Sequence, residues 1–229
     1  MHDQSNTVPE YYTFVRSEIA PLLPPAATRI LDVGCGVGAT AAWLRSQYPG
    51  SHTIGFEGNA ALLAELARNV DEPYIVDLNG PLPDLRPADL VLLLDILEHL
   101  VDPEAVLARV MALMAEDATV IISLPNVAHL SVSVPLLFLG RFDYASAGIL
   151  DRTHLHFFYR RSALDLAERV GLKVEKCLMT GFEGRRTRRI DQLTFGLMRD
   201  RLARQYVFSA RRNQVVEGHA SEPVRPKPV

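Results

Sequence analysis

Cysteine is scarce in this chain: the 229 residues include two, Cys35 and Cys177. Cys35 lies inside a glycine-rich loop, where a disulfide would obstruct any ligand. A disulfide framework is therefore not expected, and a reducing, cytoplasmic setting is. No apolar run reaches the roughly 20 residues that a membrane-spanning helix needs. The opening Met1-His2-Asp3-Gln4 lacks the basic-then-apolar layout of a signal peptide. Charge of neither sign dominates. The formal net charge is −3, from 27 acidic and 24 basic residues, so nothing announces a nucleic-acid or membrane partner. No internal repeat is visible. Hydrophobic residues make up 48% and charged residues 22%, which is ordinary globular composition for a chain long enough to bury one sizeable core.

What is present is organised around residues 29–38. The run Arg29-Ile30-Leu31-Asp32-Val33 ends in Gly34-Cys35-Gly36-Val37-Gly38, and Ala39 to Arg45 reads as a helix. Strand, tight glycine loop and helix N-terminus follow in that order. Glycine permits positive φ and close backbone approach, and a helix N-terminus adds unpaired N–H groups with partial positive charge. A second apolar run, Thr53 to Phe56, ends in Glu57 followed by Gly58. An acid about 20 residues after such a loop can accept hydrogen bonds from ribose hydroxyls. That spacing alone fits a dinucleotide or another nucleoside cofactor.

The loop reads Asp-x-Gly-x-Gly-x-Gly and resembles motif I of the class I S-adenosylmethionine-dependent methyltransferases. It is not the Gly-x-Gly-x-x-Gly of nicotinamide enzymes, which argues against an oxidoreductase. The resemblance spans roughly residues 10–180. It implies a doubly wound, mostly parallel, seven-stranded Rossmann-like α/β sheet and S-adenosylmethionine as co-substrate. It implies Asp32 beside the methionyl amino group, with Gly34, Cys35, Gly36 and Gly38 as the cofactor loop and Glu57 and Gly58 near the ribose. Asp77 would meet the adenine amino group, with Leu78 packing on the ring. Tyr12 and Arg16 would reach the methionyl end from an N-terminal helix, and Asp95 would line the site from the fourth strand.

The chain in order supports that architecture. Residues 1–9 read as loose, and Glu10 to Ile19 as a helix stopped by Pro21, Pro24 and Pro25. Asn59 caps a helix to Arg68, and Tyr74 to Leu78 reads as a strand. Asp89 to Asp95 suits a strand buried on both faces. Ligands of such sheets bind at the carboxyl ends of strands, which singles out Asp95, Glu98 and His99. A helix from Pro103 to Met114 and a strand from Ala118 to Leu124 follow. Strands and helices thus alternate up to Leu124. Residues 126–160 are too long for an ordinary connection and read as a lid or substrate segment. Ser162 is expected to cap a helix ending before Gly171. Leu172 to Met179 and Gln205 to Ala210 read as strands, the last one antiparallel by resemblance. Residues 1–212 would form one domain, and 213–229 a disordered tail.

Methyl transfer to a hydroxyl or ammonium needs alignment and removal of a proton. His154 is the first candidate base, since imidazole titrates near neutral pH. His129 is the second, and Asp151 belongs to the same set. Each is weighed against a purely structural role. If the chain is extended there, His156 faces away from His154. Asp95-x-x-Glu98-His99 with distant His154 resembles the acid set of small-RNA methyltransferases that use a divalent metal. The first acid is Asp here rather than Glu, and no metal is favoured. The wording Leu-Pro-Asn, Gly-Arg-Phe-Asp-Tyr and Asp-Arg-Thr-His-Leu resembles a bacterial subgroup associated with small-molecule or glycan tailoring, similar to methyltransferase-like proteins of methionine biosynthesis. The expectation is O-methylation of a small-molecule or sugar hydroxyl. The arginines of 185–204 would meet a phosphate if the acceptor bears one. The alternatives are N-methylation of a small metabolite and a non-catalytic cofactor-binding partner.

Overall fold

The computed structural model describes residues 10–181 and 184–213. Residues 1–9, expected to be loose, lie outside that range, as does all but the first residue of the tail expected over 213–229. Seven strands form one sheet: β1 (Arg29–Val33), β2 (His52–Glu57), β3 (Glu72–Ile75), β4 (Ala88–Leu94), β5 (Met114–Pro125), β6 (Leu172–Thr180) and β7 (Gln205–Arg212). Their spatial order is β3-β2-β1-β4-β5-β7-β6. The first five pair in parallel, and β7 runs antiparallel to both β5 and β6. The chain moves outward from β1 to β3, then returns across β1 to β4. The crevice between the carboxyl ends of β1 and β4 is therefore a topological switch point, where open α/β sheets bind ligands.

Alternation along each strand divides the core between the two sheet faces. Leu31 and Val33 pack with Phe56, Val91 and Leu93 against α3 (Pro103–Ala112) and α5 (Arg160–Arg169), through Val106, Leu107, Val110, Ala163 and Leu166. Ile30, Leu90 and Leu92 point the other way, onto Leu44 of α1 (Ala39–Gln47) and Ile19 and Leu22 of the N-terminal segment. Each fully buried leucine or isoleucine contributes about 2–3 kcal/mol. α2 (Leu63–Asn69) closes against α1 through Leu66 and Val70 with Ala41.

Several boundaries differ from the sequence reading, each for a local reason. The expected helix over Glu10–Ile19 is two short 3-10 pieces, Glu10–Thr13 and Ser17–Leu22, and Pro21 sits inside the second. Arg16 lies between them, where its backbone N–H donates to Thr40 Oγ1 at 3.2 Å. The third strand starts and ends early, so Asp77 and Leu78 fall in the loop after it. Its register is set by pairing with β2, with Glu57 opposite Ile75. Tyr159, not Ser162, is the N-cap of α5, and the Ser162 hydroxyl accepts the Tyr159 N–H at 3.1 Å. Between β5 and α5 stands α4 (Leu130–Leu139), entered through His129. Two more helices, α6 (Arg185–Leu193) and α7 (Arg199–Leu202), precede β7. Among the described residues no helix is long and apolar enough to cross a membrane.

Candidate active site

The β1 loop is held by its neighbours. The N–H groups of Gly34 and Cys35 donate to the Phe56 carbonyl at 2.8 and 3.0 Å, and Val37 N–H donates to the Tyr12 carbonyl at 3.2 Å. Gly34 and Gly36 have φ of +74° and +58°. A Cβ on Gly34 would stand 2.8 Å from the Ile96 side chain, and one on Gly36 2.8 Å from the Tyr12 carbonyl oxygen. Any side chain here would displace the protein's own packing before it met a ligand. Both cysteines are free, and burial pushes the Cys35 thiol far up, aided by Asp32 and Glu57.

Glu57 bridges the second strand to the loop. Its Oε2 accepts the Gly36 N–H and its Oε1 the Asn59 N–H, both at 2.8 Å. Each oxygen keeps a second lone pair for a ribose hydroxyl. Gly58 beside it is exposed. Asp77 is exposed and folds back on Asn79, accepting its N–H at 2.9 Å and its side-chain amide at 3.1 Å. Leu78 is buried, and its carbonyl accepts from Arg109 at 2.6 Å.

Asp32 is the informative carboxylate. It is 3% exposed and its Oδ2 has no hydrogen-bond partner. Burial pushes its carboxyl up to about 7, with Arg16 opposing and Glu57 adding to the rise. An unpartnered buried oxygen at the switch point fits an ammonium group, the donor that the methionyl end of S-adenosylmethionine carries. Arg16 Nη1 reaches Asp95 Oδ2 at 2.6 Å, and its Nη2 reaches Ser123 Oγ at 3.2 Å and Gln205 Oε1 at 3.1 Å. Asp95 sits at φ +55°, uncommon for a non-glycine residue. Its Oδ1 accepts from Ser123 Oγ at 2.9 Å and from the Gln205 amide. Ser123 and Gln205 were not legible as site residues, because the antiparallel return of β7 brings residue 205 to residue 95.

A second polar cluster lies at the end of β4. Glu98 is 1% exposed, and its Oε2 has no hydrogen-bond partner. Burial, with Asp95 adding, raises its carboxyl well above the ordinary range. The Glu98 carbonyl accepts the N–H groups of Leu155 and His156 at 2.8 and 3.1 Å, which ties segment 126–159 down on β4. His154 is buried and its Nε2 stands 4.0 Å from Glu98 Oε1. Its Nδ1 meets the Ile149 carbonyl at 3.0 Å, so that nitrogen carries the proton and Nε2 the lone pair. The rings of His99 and His154 meet edge to face with centroids 4.7 Å apart.

The remaining candidates have structural partners. His129 Nδ1 accepts the Ser131 N–H at 3.1 Å and caps α4. Burial and nearby Arg204 push its imidazole down. Asp151 accepts the Thr153 N–H and hydroxyl at 2.8 and 2.7 Å. Burial alone would raise its carboxyl, but those bonds and the two imidazoles hold it below the usual range. His156 Nε2 stands 3.2 Å from the Val101 carbonyl, away from His154. In the arginine-rich stretch, Arg199 pairs with Asp191 at 2.8 Å, and Arg185, Arg188 and Arg189 are exposed. A hollow lined by Arg29, His52, Glu72 and Arg86 lies at the opposite ends of the strands, and Arg29 and His52 both pair with Glu72 there.

Comparison with known proteins bears on this arrangement. A family profile described as a methyltransferase domain matches residues 8–176. Trans-aconitate 2-methyltransferase of Variovorax paradoxus is 25% identical over 104 residues, covering 44% of this chain and 40% of that relative. The chain thus spans well under two thirds of the curated relatives it matches. Among solved structures, an S-adenosylmethionine-dependent methyltransferase from Mesorhizobium loti matches with TM-score 0.61 at 17% identity, covering 85% of this chain and 96% of that one. The N-methyltransferase NodS of Bradyrhizobium japonicum, in complex with S-adenosyl-L-homocysteine, matches with TM-score 0.56 at 10% identity over 86% and 82% of the two chains. At those identities the likeness speaks for the fold.

Proposed function

The chain belongs to the methyltransferase-domain family, and from that membership we propose that it methylates a hydroxyl of a small molecule or sugar. S-adenosylmethionine, when bound, supplies an activated methyl group. This chain's residues do the rest. Asp32 receives the methionyl ammonium, Glu57 the ribose hydroxyls, and Asp77 with Leu78 the adenine. Tyr12 and Arg16 border the same site from the N-terminal segment, and Asp95 from β4. The acceptor lies beneath segment 126–159, which excludes water over the carboxyl end of β4. His154 Nε2 is the lone pair available to take the acceptor's proton, since Nδ1 is committed to Ile149.

The observation that carries this reading is the buried Asp32 oxygen without a partner, beside a loop clamped by Glu57. A trans-aconitate methyltransferase among the relatives supports a small-molecule acceptor. Calorimetry of the full chain with S-adenosylhomocysteine tests the cofactor half: one equivalent binds, and Asp32→Ala weakens binding at least tenfold. A screen of hydroxyl and amine acceptors tests the other half, with product mass as the readout. His154→Ala should keep cofactor binding and cut turnover at least tenfold. Unchanged turnover in that variant removes His154 from the mechanism. Products only from amines would replace the hydroxyl with nitrogen. Binding without turnover on any acceptor would leave a cofactor-binding partner protein.

A further inference from the structure

We infer that the turn joining α6 to α7 is a docking surface for a membrane leaflet rich in anionic lipid. The stretch 184–204 holds seven arginines against two aspartates and no other charged residue. The chain as a whole is acidic, at −3, so the overall balance masks this positive stretch. Both aspartates already have partners: Asp191 pairs with Arg199 at 2.8 Å and Asp200 with Arg160 at 3.8 Å. Arg185, Arg188, Arg189, Arg201 and Arg204 are exposed, and none of them pairs with a carboxylate among the described residues.

Apolar side chains crown the same turn. Leu193, Phe195 and Leu197 are 79%, 94% and 86% exposed. Phe195 holds a φ of +50°, an outlier for a bulky side chain. The Phe195 and Gly196 N–H groups donate to the Gln192 and Asp191 carbonyls at 3.2 and 2.9 Å, and the Arg199–Asp191 pair staples the two helices together. A built turn therefore projects a phenyl ring and two leucine side chains into solvent. On α6, Ile190 shares a face with Leu193, and Arg185 and Arg189 sit one turn apart along its edge. Apolar tips with basic flanks match a bilayer interface: the tips enter the acyl boundary while the guanidinium groups meet lipid phosphates. A second copy of this chain fits worse. A two-fold contact through this turn sets the arginines against their own counterparts, and facing like charges oppose association.

The placement gives the surface a role. Thr180 at the end of β6 and Pro125 at the end of β5 both lie opposite Gln205 of β7. α6 and α7 thus rise from the sheet edge that carries the candidate active site. Asn126 Nδ2 donates to the Asp200 and Ala203 carbonyls at 2.6 and 2.7 Å, which ties α7 to the start of segment 126–159. In that segment α4 exposes Leu137, Phe138 and Leu139 as well. Docking here brings the site's edge of the sheet to the headgroups, where a hydroxyl carried on a lipid or other amphiphile is held. That consequence rests on the methyl-transfer reading; the docking surface itself does not.

The test is flotation of the full chain with vesicles of equal parts phosphatidylglycerol and phosphatidylcholine, against vesicles of phosphatidylcholine alone. Calorimetry with S-adenosylhomocysteine runs in parallel without vesicles. The expected result is binding to the mixed vesicles only, weakening as salt rises. Phe195→Asn with Leu197→Ser should weaken it at least tenfold, asparagine being at ease at positive φ. Arg185→Glu with Arg189→Glu should do the same. Both variants should bind S-adenosylhomocysteine as the unaltered chain does, which reports an intact fold. No flotation with mixed vesicles, equal binding to phosphatidylcholine alone, or equal partitioning by the Phe195→Asn, Leu197→Ser variant overturns the docking surface and leaves the methyl-transfer reading standing. So does a dimer in sedimentation velocity that this variant turns into a monomer, since the face then belongs to a second copy. Absence of S-adenosylhomocysteine binding in the unaltered chain overturns the methyl-transfer reading instead, whatever the vesicles show.

Discussion

The Asp32 carboxyl, 3% exposed, is pushed up to about 7 by burial, with Arg16 pulling it back and Glu57 pushing further. The consequence for stability has a definite sign. In the unfolded chain Asp32 releases its proton near pH 3.8, while the folded, cofactor-free chain keeps it to about 7. The native state binds the extra proton across that window, so the group's contribution to stability falls as pH rises from about 4 to about 7. Asp32→Asn removes the dependence. Subtracting the variant's unfolding free energy from the parent's cancels other titrations. That difference should fall with pH, by on the order of 4 kcal/mol between pH 3 and pH 8. A flat difference would show that Asp32 is ionised throughout. Cofactor affinity should move oppositely, rising with pH through the same window in the parent chain and staying weak and flat in the variant. Asp32 was legible in the sequence because its place is fixed by an adjacent motif. Gln205 was not, since nothing near residue 205 signals that it will meet Asp95.

At the scale of elements, the sequence was most legible where burial is two-sided. Apolar runs such as Leu90–Leu93 leave little choice but a central strand, and that run forms β4. It was least legible where hydrogen bonds outweigh pattern. The N-terminal stretch has helical spacing, but Val37 bonds to the Tyr12 carbonyl and Thr40 to Arg16, and the segment breaks to serve them. α4 shows a related case. His129 was a candidate base on chemistry alone, but its Nδ1 caps the helix. His129→Ala should therefore cost about 1 kcal/mol in chemical denaturation. His129→Asn should recover most of that, because an amide oxygen can accept the same N–H. Both should bind S-adenosylhomocysteine as the parent does. If the alanine variant is as stable as the parent but loses turnover, the cap is incidental and a catalytic role returns. The exposed side of α4, with Leu137 76%, Phe138 74% and Leu139 67% exposed, was not expected from an apolar stretch.

Across the whole molecule, one guanidinium joins parts of the chain that are far apart in sequence. Arg16 comes from the N-terminal segment, Asp95 from the end of β4, Ser123 from β5 and Gln205 from the start of β7. The parallel sheet alone would bring the β4 and β5 ends together. The antiparallel β7, with Gln205 opposite Pro125, supplies the last partner. The Arg16 side chain is 12% exposed and that of Asp95 28%, so water and salt screen this pair less than surface pairs such as Arg141–Asp143, 64% and 62% exposed. Breaking it leaves a partly buried carboxylate at an already unusual backbone angle. Arg16→Ala should lower stability by about 2 kcal/mol, and the loss should persist in high salt. Asp143→Ala should cost less than about 1 kcal/mol and lose even that in salt. In a double-mutant cycle, Arg16→Ala with Asp95→Asn should show a coupling of about 1–3 kcal/mol. Additive losses would mean that the N-terminal segment docks through Ile19 and Leu22 alone, with the arginine contributing only to the cofactor site's charge.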